Sequence, residues 1–343
     1  MGQRRGRRLR WVLVWLLVAA AVVAGLALWN RGKGGPSAEA CSVTPAGGKP
    51  VTMELEQAQN AATIAAVVDS RGLPERALTI ALATALQESK LRNLDGGDRD
   101  SVGLFQQRPS QGWGTADQIQ DPVYATNKFL DALVKVNGYA RLSLTDAAQA
   151  VQHSAYPGAY AKHEANASLL ASALTGRSPA AFNCTVHQFL QVDPALLGSP
   201  AADAAAASAP ASAGASPASP AAAAGPGGQQ QLARRLQVEF GRTVTLAAAP
   251  AGSADPGITG TALALTPDPA ANTDTGADPQ RQSGWAVAHW ALANAEQLGI
   301  GSIRYDGKVW RLDRSDSGWQ AQSGPAAGSD KVLITLGRPD AKH

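Results

Sequence analysis

Residues 198–228 are almost wholly alanine, serine, proline and glycine. A segment of that composition cannot bury enough apolar surface to offset the entropy of ordering it, so it reads as a disordered spacer. It divides the chain into two folding segments, and 343 residues give both ordinary domain sizes. Apolar residues reach 45 % and aromatics only 5 %, so part of the apolar share is small linker residues rather than core.

The N-terminus sets a second constraint. Arg4, Arg5, Arg7, Arg8, Arg10, Arg31 and Lys33 fall in the first 33 residues with no acid among them, so the net +3 leaves 3 − 7 = −4 for the rest. The mildly acidic remainder carries no basic footprint for nucleic acid. Residues 11–29 are apolar, and at about 1.5 Å per residue they span roughly 28 Å, one bilayer core. The basic block before them predicts a single-pass anchor in the cytoplasmic membrane, with residues 1–10 cytoplasmic and the bulk extracytoplasmic. Ala19, Ala20, Ala21 and Ala24 leave open a cleaved signal peptide, which would also export the chain. Residues 30–50 are Gly- and Pro-rich and read as a stalk. In an exported chain the only two cysteines, Cys41 and Cys184, predict a disulfide, and a loop of that length is stabilised by about 2–4 kcal/mol.

Residues 51–185 read as an all-α domain. Thr52 is placed to cap a helix that Gly72 ends, and Pro74 opens the next. There Leu78, Ala81, Leu82, Ala85 and Leu86 form a stripe at spacings of three and four. Asp121-Pro122 and Ser143-x-x-Asp146 mark two further helix starts. Glu88 lies about 100° from the middle of its helix's apolar stripe, next to the polar loop 92–101. Partial burial and the negative end of the helix dipole both disfavour its ionised form, and glycosidic cleavage needs a protonated carboxyl. On spacing alone a solvated helix-end glutamate is the better fit.

The flanking residues separate these readings. Gln87-Glu88-Ser89-Lys90-Leu91, then Ser101-Val102-Gly103-Leu104-Phe105-Gln106-Gln107, then Ser154-Ala155-Tyr156-Pro157 occur in that order. Over about residues 55–175 the chain resembles the lysozyme-like superfamily, in the soluble lytic transglycosylase and goose-type lysozyme group. The Gln-Gln-Arg-Pro and Ala-Tyr-Pro-x-Ala-Tyr variants resemble an actinobacterial subgroup of secreted proteins. The resemblance implies that Glu88 is the catalytic acid and that Ser89 follows it as the group's serine does. It implies that Gly103, Leu104 and Gln106, with Ser101 and Gln107 beside them, line a sugar groove. Tyr156 matches the tyrosine facing the acid. The group's Tyr-Asn is Tyr156-Pro157 here, leaving Gln152 and Ser154 as polar substitutes for the lost asparagine.

The implied activity is one-carboxylate cleavage of peptidoglycan glycan strands, either as a lytic transglycosylase or as a muramidase, with no cofactor. A non-catalytic envelope-binding module is the alternative. Two-carboxylate glycosidases hold their acids about 5–10 Å apart, and Asp95, Asp98 and Asp100 are the nearby candidates. Their Gly-rich setting reads as a solvated loop, and a calcium loop would need a distal glutamate that is absent. Tyr124 and Asn127, one turn apart, are placed to face the groove, with plain core as the equal reading of Tyr124, and Trp113 is placed either to stack on a sugar or to pack. His153 and Ser154 are neighbours pointing about 100° apart on a helix, which excludes a nucleophile–base pair.

Residues 229–343 read as a small α+β domain, with an amphipathic helix over 284–298 and strands around Asp306-Gly307. Trp285 to Gly299, the run Tyr305 to Trp310 and the late strand resemble the hedgehog/D,D-peptidase fold. The late strand, Lys331 to Leu336, lacks that fold's His-x-His, and a catalytic zinc needs three protein ligands, so no metal is expected.

Overall fold

A computed structural model describes residues 38–45, 47–154, 156–189, 226–269, 278–322 and 330–339. The described residues from Glu39 onward belong to one compact unit.

Strands β1 (Ala40–Val43) and β2 (Val51–Met53) precede helix α1 (Leu55–Ser70). Thr52 belongs to β2. The helix starts at Glu54, whose N–H donates to Gln57 Oε1 at 2.8 Å. Then come α2 (Glu75–Glu88), the short α3 (Ala116–Ile119) and α4 (Pro122–Leu133). Asp121 caps α4 by accepting the Val123 N–H at 2.9 Å, with Pro122 in the first turn, where a missing N–H costs nothing. Ser143 Oγ accepts the Asp146 N–H at 3.0 Å to start α5 (Leu144–Gln152). A 3-10 turn, Pro157–His163, leads into α6 (Glu164–Leu174) and β3 (Phe182–Thr185).

The second half runs α7 (Pro226–Glu239), β4 (Val244–Ala248), β5 (Ile258–Pro267), α8 (Pro279–Ala293), α9 (Ala295–Leu298), β6 (Ile300–Tyr305), β7 (Lys308–Arg311), β8 (Gln320–Ala321) and β9 (Val332–Pro339). Its six strands form an antiparallel sheet in the order β4-β5-β9-β6-β7-β8. Asp306-Gly307 turns β6 into β7 with φ of 50° and 69°, the paired positive values that match strand twist.

This mixed helix-and-sheet architecture corrects the expected fold class. The first half is not all-α, because β2-β1-β3 form an antiparallel sheet with Cys41 directly opposite Cys184, and the two are disulfide-bonded. The stalk reading missed β1 because its partner β3 lies far along the sequence, and strand preference depends on such partners. The expected transmembrane anchor and single-pass membrane location are not supported. Among the described residues no helix is long and apolar enough to cross a membrane, and residues 11–29 lie outside them. Of the spacer, residues 226–228 begin α7 and the rest lies outside the described residues.

Helix α8 is not amphipathic. From Gln282 onward every residue is buried except the half-buried Ala286. A helix covered on all sides is core, and α8 packs on α1, α6 and β3 on one side and on β5 and β6 on the other. The two halves therefore share one hydrophobic core. The β3 carbonyls of Phe182 and Cys184 accept the Trp319 and Trp310 indole N–H groups at 2.8 and 3.0 Å. The Trp290 indole donates to Glu239 at 2.7 Å, and Arg235 pairs with the same carboxylate. His289 is fully buried, and its Nδ1 donates to the Ala173 carbonyl at 2.8 Å. Gly176, at φ 74°, lets α6 meet α8, since a Cβ there would sit 1.9 Å from the Gln282 carbonyl oxygen.

Gly176→Ala is expected to destabilise the fold by about 3 kcal/mol, through overpacking and left-handed strain. Urea unfolding followed by tryptophan fluorescence and by far-UV circular dichroism should shift together, and separated transitions would contradict a shared core. Two buried groups also make opposed pH contributions. Burial lowers His289 from 6.5 to about 4, so the unfolded chain binds the proton more readily, and stability is lost as pH falls from 6.5 towards 4. Burial raises Asp69 from 3.8 to about 6, so stability present below 3.8 is lost as pH rises through 6. Asp69→Asn should leave a melting temperature that drops on acidification across this window, and His289→Gln one that drops as pH rises.

Candidate active site

The last residue of α2 is Glu88, and the chain turns sharply after it. Lys90 and Leu91 both adopt left-handed backbone, with φ of 58° and 62°, which costs about 1–3 kcal/mol each for side chains of this kind. Helix α1 holds the turn in place. Gln57 Nε2 donates to the Lys90 carbonyl at 2.7 Å, and Asn60 Nδ2 donates to the Leu91 carbonyl at 2.8 Å. Ser89 is buried, and its hydroxyl lies 2.7 Å from the Leu104 carbonyl and 3.0 Å from that of Ala85.

Glu88 itself is half-buried. The Tyr160 hydroxyl donates to its Oε1 at 2.7 Å, and the Gln152 amide, which donates to the Phe105 carbonyl at 2.8 Å, lies near enough to influence it. Burial raises the Glu88 pKa, and the two donors act against it by favouring the anion. Burial and the facing carboxylate push the Tyr160 hydroxyl up, so it stays a donor. Ser154 Oγ accepts the Tyr156 N–H at 3.2 Å.

The tyrosine facing Glu88 is thus Tyr160, not Tyr156, whose side chain is 77 % exposed. Both tyrosines stand in the Ala-Tyr-Pro-x-Ala-Tyr run. Pro157 starts a 3-10 turn there, and the turn carries the second tyrosine inward. Tyr160 was legible as a fully buried aromatic only once that turn was known.

The segment 101–107 is a tight loop closed by reciprocal backbone bonds between Val102 and Gln107 at 3.0 and 3.1 Å. Gly103 has φ 79°, and a Cβ there would come within 2.7 Å of the Ile119 carbonyl oxygen. Ser101, Gly103, Leu104 and Gln107 are buried. Gln107 Nε2 donates to the Ala125 carbonyl at 3.2 Å, and Ser101 Oγ to the Asp98 carbonyl at 2.7 Å. These four shape the loop from within, and half-buried Gln106 is the member left at its surface. Tyr124 donates to the Trp113 carbonyl at 3.2 Å, and Asn127 accepts from Arg71 at 3.2 Å, so both brace neighbouring segments. Asp95 and Asp98 are exposed. Asp100 accepts from Arg108 at 2.8 Å and from the Ser110 N–H at 2.8 Å, which hold its carboxyl well below the usual range. Among the described residues no group of three or more His, Cys, Asp or Glu could hold a metal. A cavity of about 20 Å³ beside Asp69 and an open groove of about 380 Å³ along α7 both lie away from Glu88.

A family model described as VldE, C-terminal domain, matches residues 230–331, a minority of the chain that excludes Glu88. No curated protein matches the chain.

Ser89→Ala should lower stability by about 1–2 kcal/mol, because it strands the buried Leu104 carbonyl. Thermal melting checks this. A melting temperature equal to the parent's would mean that Ser89 does not anchor the loop.

Proposed function

We propose that the chain cleaves peptidoglycan glycan strands between N-acetylmuramic acid and N-acetylglucosamine, with Glu88 as the single acid and base. The observation that carries this reading is the Glu88 carboxyl itself. It is half-buried at a helix end, raised in pKa, and oriented by a tyrosine hydroxyl. Two further features support it. Strained backbone at Lys90 and Leu91 adjoins the carboxyl, as strain often adjoins functional groups. The three ordered motifs also resemble those of the lytic transglycosylase and goose-type lysozyme group.

Protonated Glu88 gives its proton to the glycosidic oxygen as the bond to C1 of the muramic sugar breaks. That sugar's own N-acetyl oxygen stabilises the cationic centre. The Glu88 carboxylate then takes a proton from the 6-hydroxyl, whose oxygen closes on C1 to give a 1,6-anhydro product. If water takes that place, a reducing end results. No second carboxylate is required, in keeping with the exposure of Asp95 and Asp98 and the pairing of Asp100. Tyr156 is the accessible candidate for holding sugar, while Gln106, whose amide is tied back to Ser101 and Gly103 at 3.1 and 3.2 Å, acts with the buried loop residues through shape.

Purified peptidoglycan incubated with the full chain, followed by mass spectrometry of released muropeptides, tests the proposal. Glu88→Gln should cut release roughly 10²–10⁴-fold, the usual worth of a general acid. Anhydro products would identify a transglycosylase, and reducing ends a muramidase. No release by a folded parent would overturn the enzyme reading and favour a binding module.

A further inference from the structure

The 3-10 turn Pro157–His163 carries Tyr160 to the Glu88 carboxyl, so the seating of that turn on α2 decides where the tyrosine hydroxyl falls. A 3-10 helix has three residues per turn, and residues three apart eclipse one another on one face. Tyr160 and His163 are three apart within it. Their partners are neighbours as well, the last two residues of α2. The Tyr160 hydroxyl donates to Glu88 Oε1 at 2.7 Å, and His163 Nε2 lies 3.2 Å from Gln87 Oε1. An amide oxygen only accepts, so the imidazole nitrogen carries the hydrogen. Gln87 and His163 are both half-buried. Just past the turn, Glu164 pairs with Arg76 of α2 at 3.3 Å, but that pair is exposed and so of small worth. Successive residues of an α-helix point about 100° apart. The bonds from Gln87 and Glu88 therefore do not act along one line, and together they resist a rocking of the turn that either alone would permit.

We propose that His163 is a positioning residue that seats the Tyr160 turn on α2 through Gln87, and so keeps the Tyr160 hydroxyl on the Glu88 carboxylate. In catalytic terms this rests on the function proposed above. His163 acts on the acid through Tyr160 alone. With the clasp to Gln87 open, Tyr160 spends less time on Glu88, and the carboxylate loses part of a donor that favours its anion. The anion is the form that acts as base after the first proton transfer. A protonated imidazole keeps its Nε2–H, so the clasp does not depend on the charge of His163. Burial and the neighbouring Lys162 in any case hold that imidazole below its ordinary pKa.

The test is a titration of Glu88 in the full-length protein, followed by the carboxyl carbon resonance of ¹³C-labelled glutamate and assigned by its loss in Glu88→Gln. His163→Leu removes the donor and Gln87→Met the acceptor, so each should move the Glu88 midpoint up, by no more than Tyr160→Phe does. His163→Gln removes the titrating charge but keeps an N–H donor, and should stay with the parent. Tyr160→Phe with and without His163→Leu should titrate alike, because the clasp has nothing left to position. Melting curves identify the folded variants, and Gln87→Met decides the matter if His163→Leu does not fold. On peptidoglycan, His163→Leu should lower kcat about 10-fold, as slight misplacement of a reacting group does, and His163→Gln should restore it. A parental midpoint in folded His163→Leu and Gln87→Met would overturn the proposal. So would a further rise when His163→Leu is added to Tyr160→Phe, since His163 would then act on the carboxyl directly. If the midpoints move as stated but the parent releases no muropeptides, the positioning role stands and the proposed function fails.

Discussion

The all-round burial of α8 is the constraint on which the rest of the structure depends. Trp285, His289 and Trp290 leave no face of it to solvent, so it needs a helical layer on one side and a sheet on the other. Neither half could close its core alone. α1 and α6 lean on α8, and α1 in turn supplies Gln57 and Asn60 to the turn after Glu88. The candidate site is thus supported, through one intervening helix, by the C-terminal segment.

The same dependence explains why polar groups recur along the junction. Indole N–H groups of Trp290, Trp310 and Trp319 all find oxygen partners. A buried tryptophan offers large apolar area but must satisfy its one donor, so these contacts fix orientation as well as adding burial. The pair between half-buried Arg235 and the buried Glu239 carboxylate fits the same pattern, with the Trp290 indole sharing the carboxylate. At the site, Glu88 is treated differently. The Tyr160 hydroxyl and the nearby Gln152 amide oppose its burial instead of fully compensating it, which leaves a carboxyl able to exchange a proton.

Much of the helical half was legible locally, because its signals are local. Asp121-Pro122 and Ser143-x-x-Asp146 act within one turn, and Asp306-Gly307 acts within two residues. Glu88 was singled out by the motifs that flank it, since its place at a helix end alone fits a solvated glutamate. What escaped were relations between distant residues. β1 needs β3, far along the chain, to be a strand, and α8 looks amphipathic until both of its coverings are known. Tyr160 and Tyr156 are indistinguishable by type, and only the turn after Pro157 decides which is buried. Ser101, Leu104 and Gln107 read as groove-lining because motif order cannot tell a residue that shapes a loop from one on its surface.

The shared core has a consequence for chain continuity. The covalent connection between β3 and α7 is not what joins the halves, since the α8 contacts, the indole bonds and the close approach at Gly176 do so independently. A single cut between residues 190 and 225 should therefore leave two fragments bound as a non-covalent pair. Expressed separately, neither would bury its half of α8's surroundings. Such a cut would turn the protein into a fragment-complementation system, with the break point already located by its own composition.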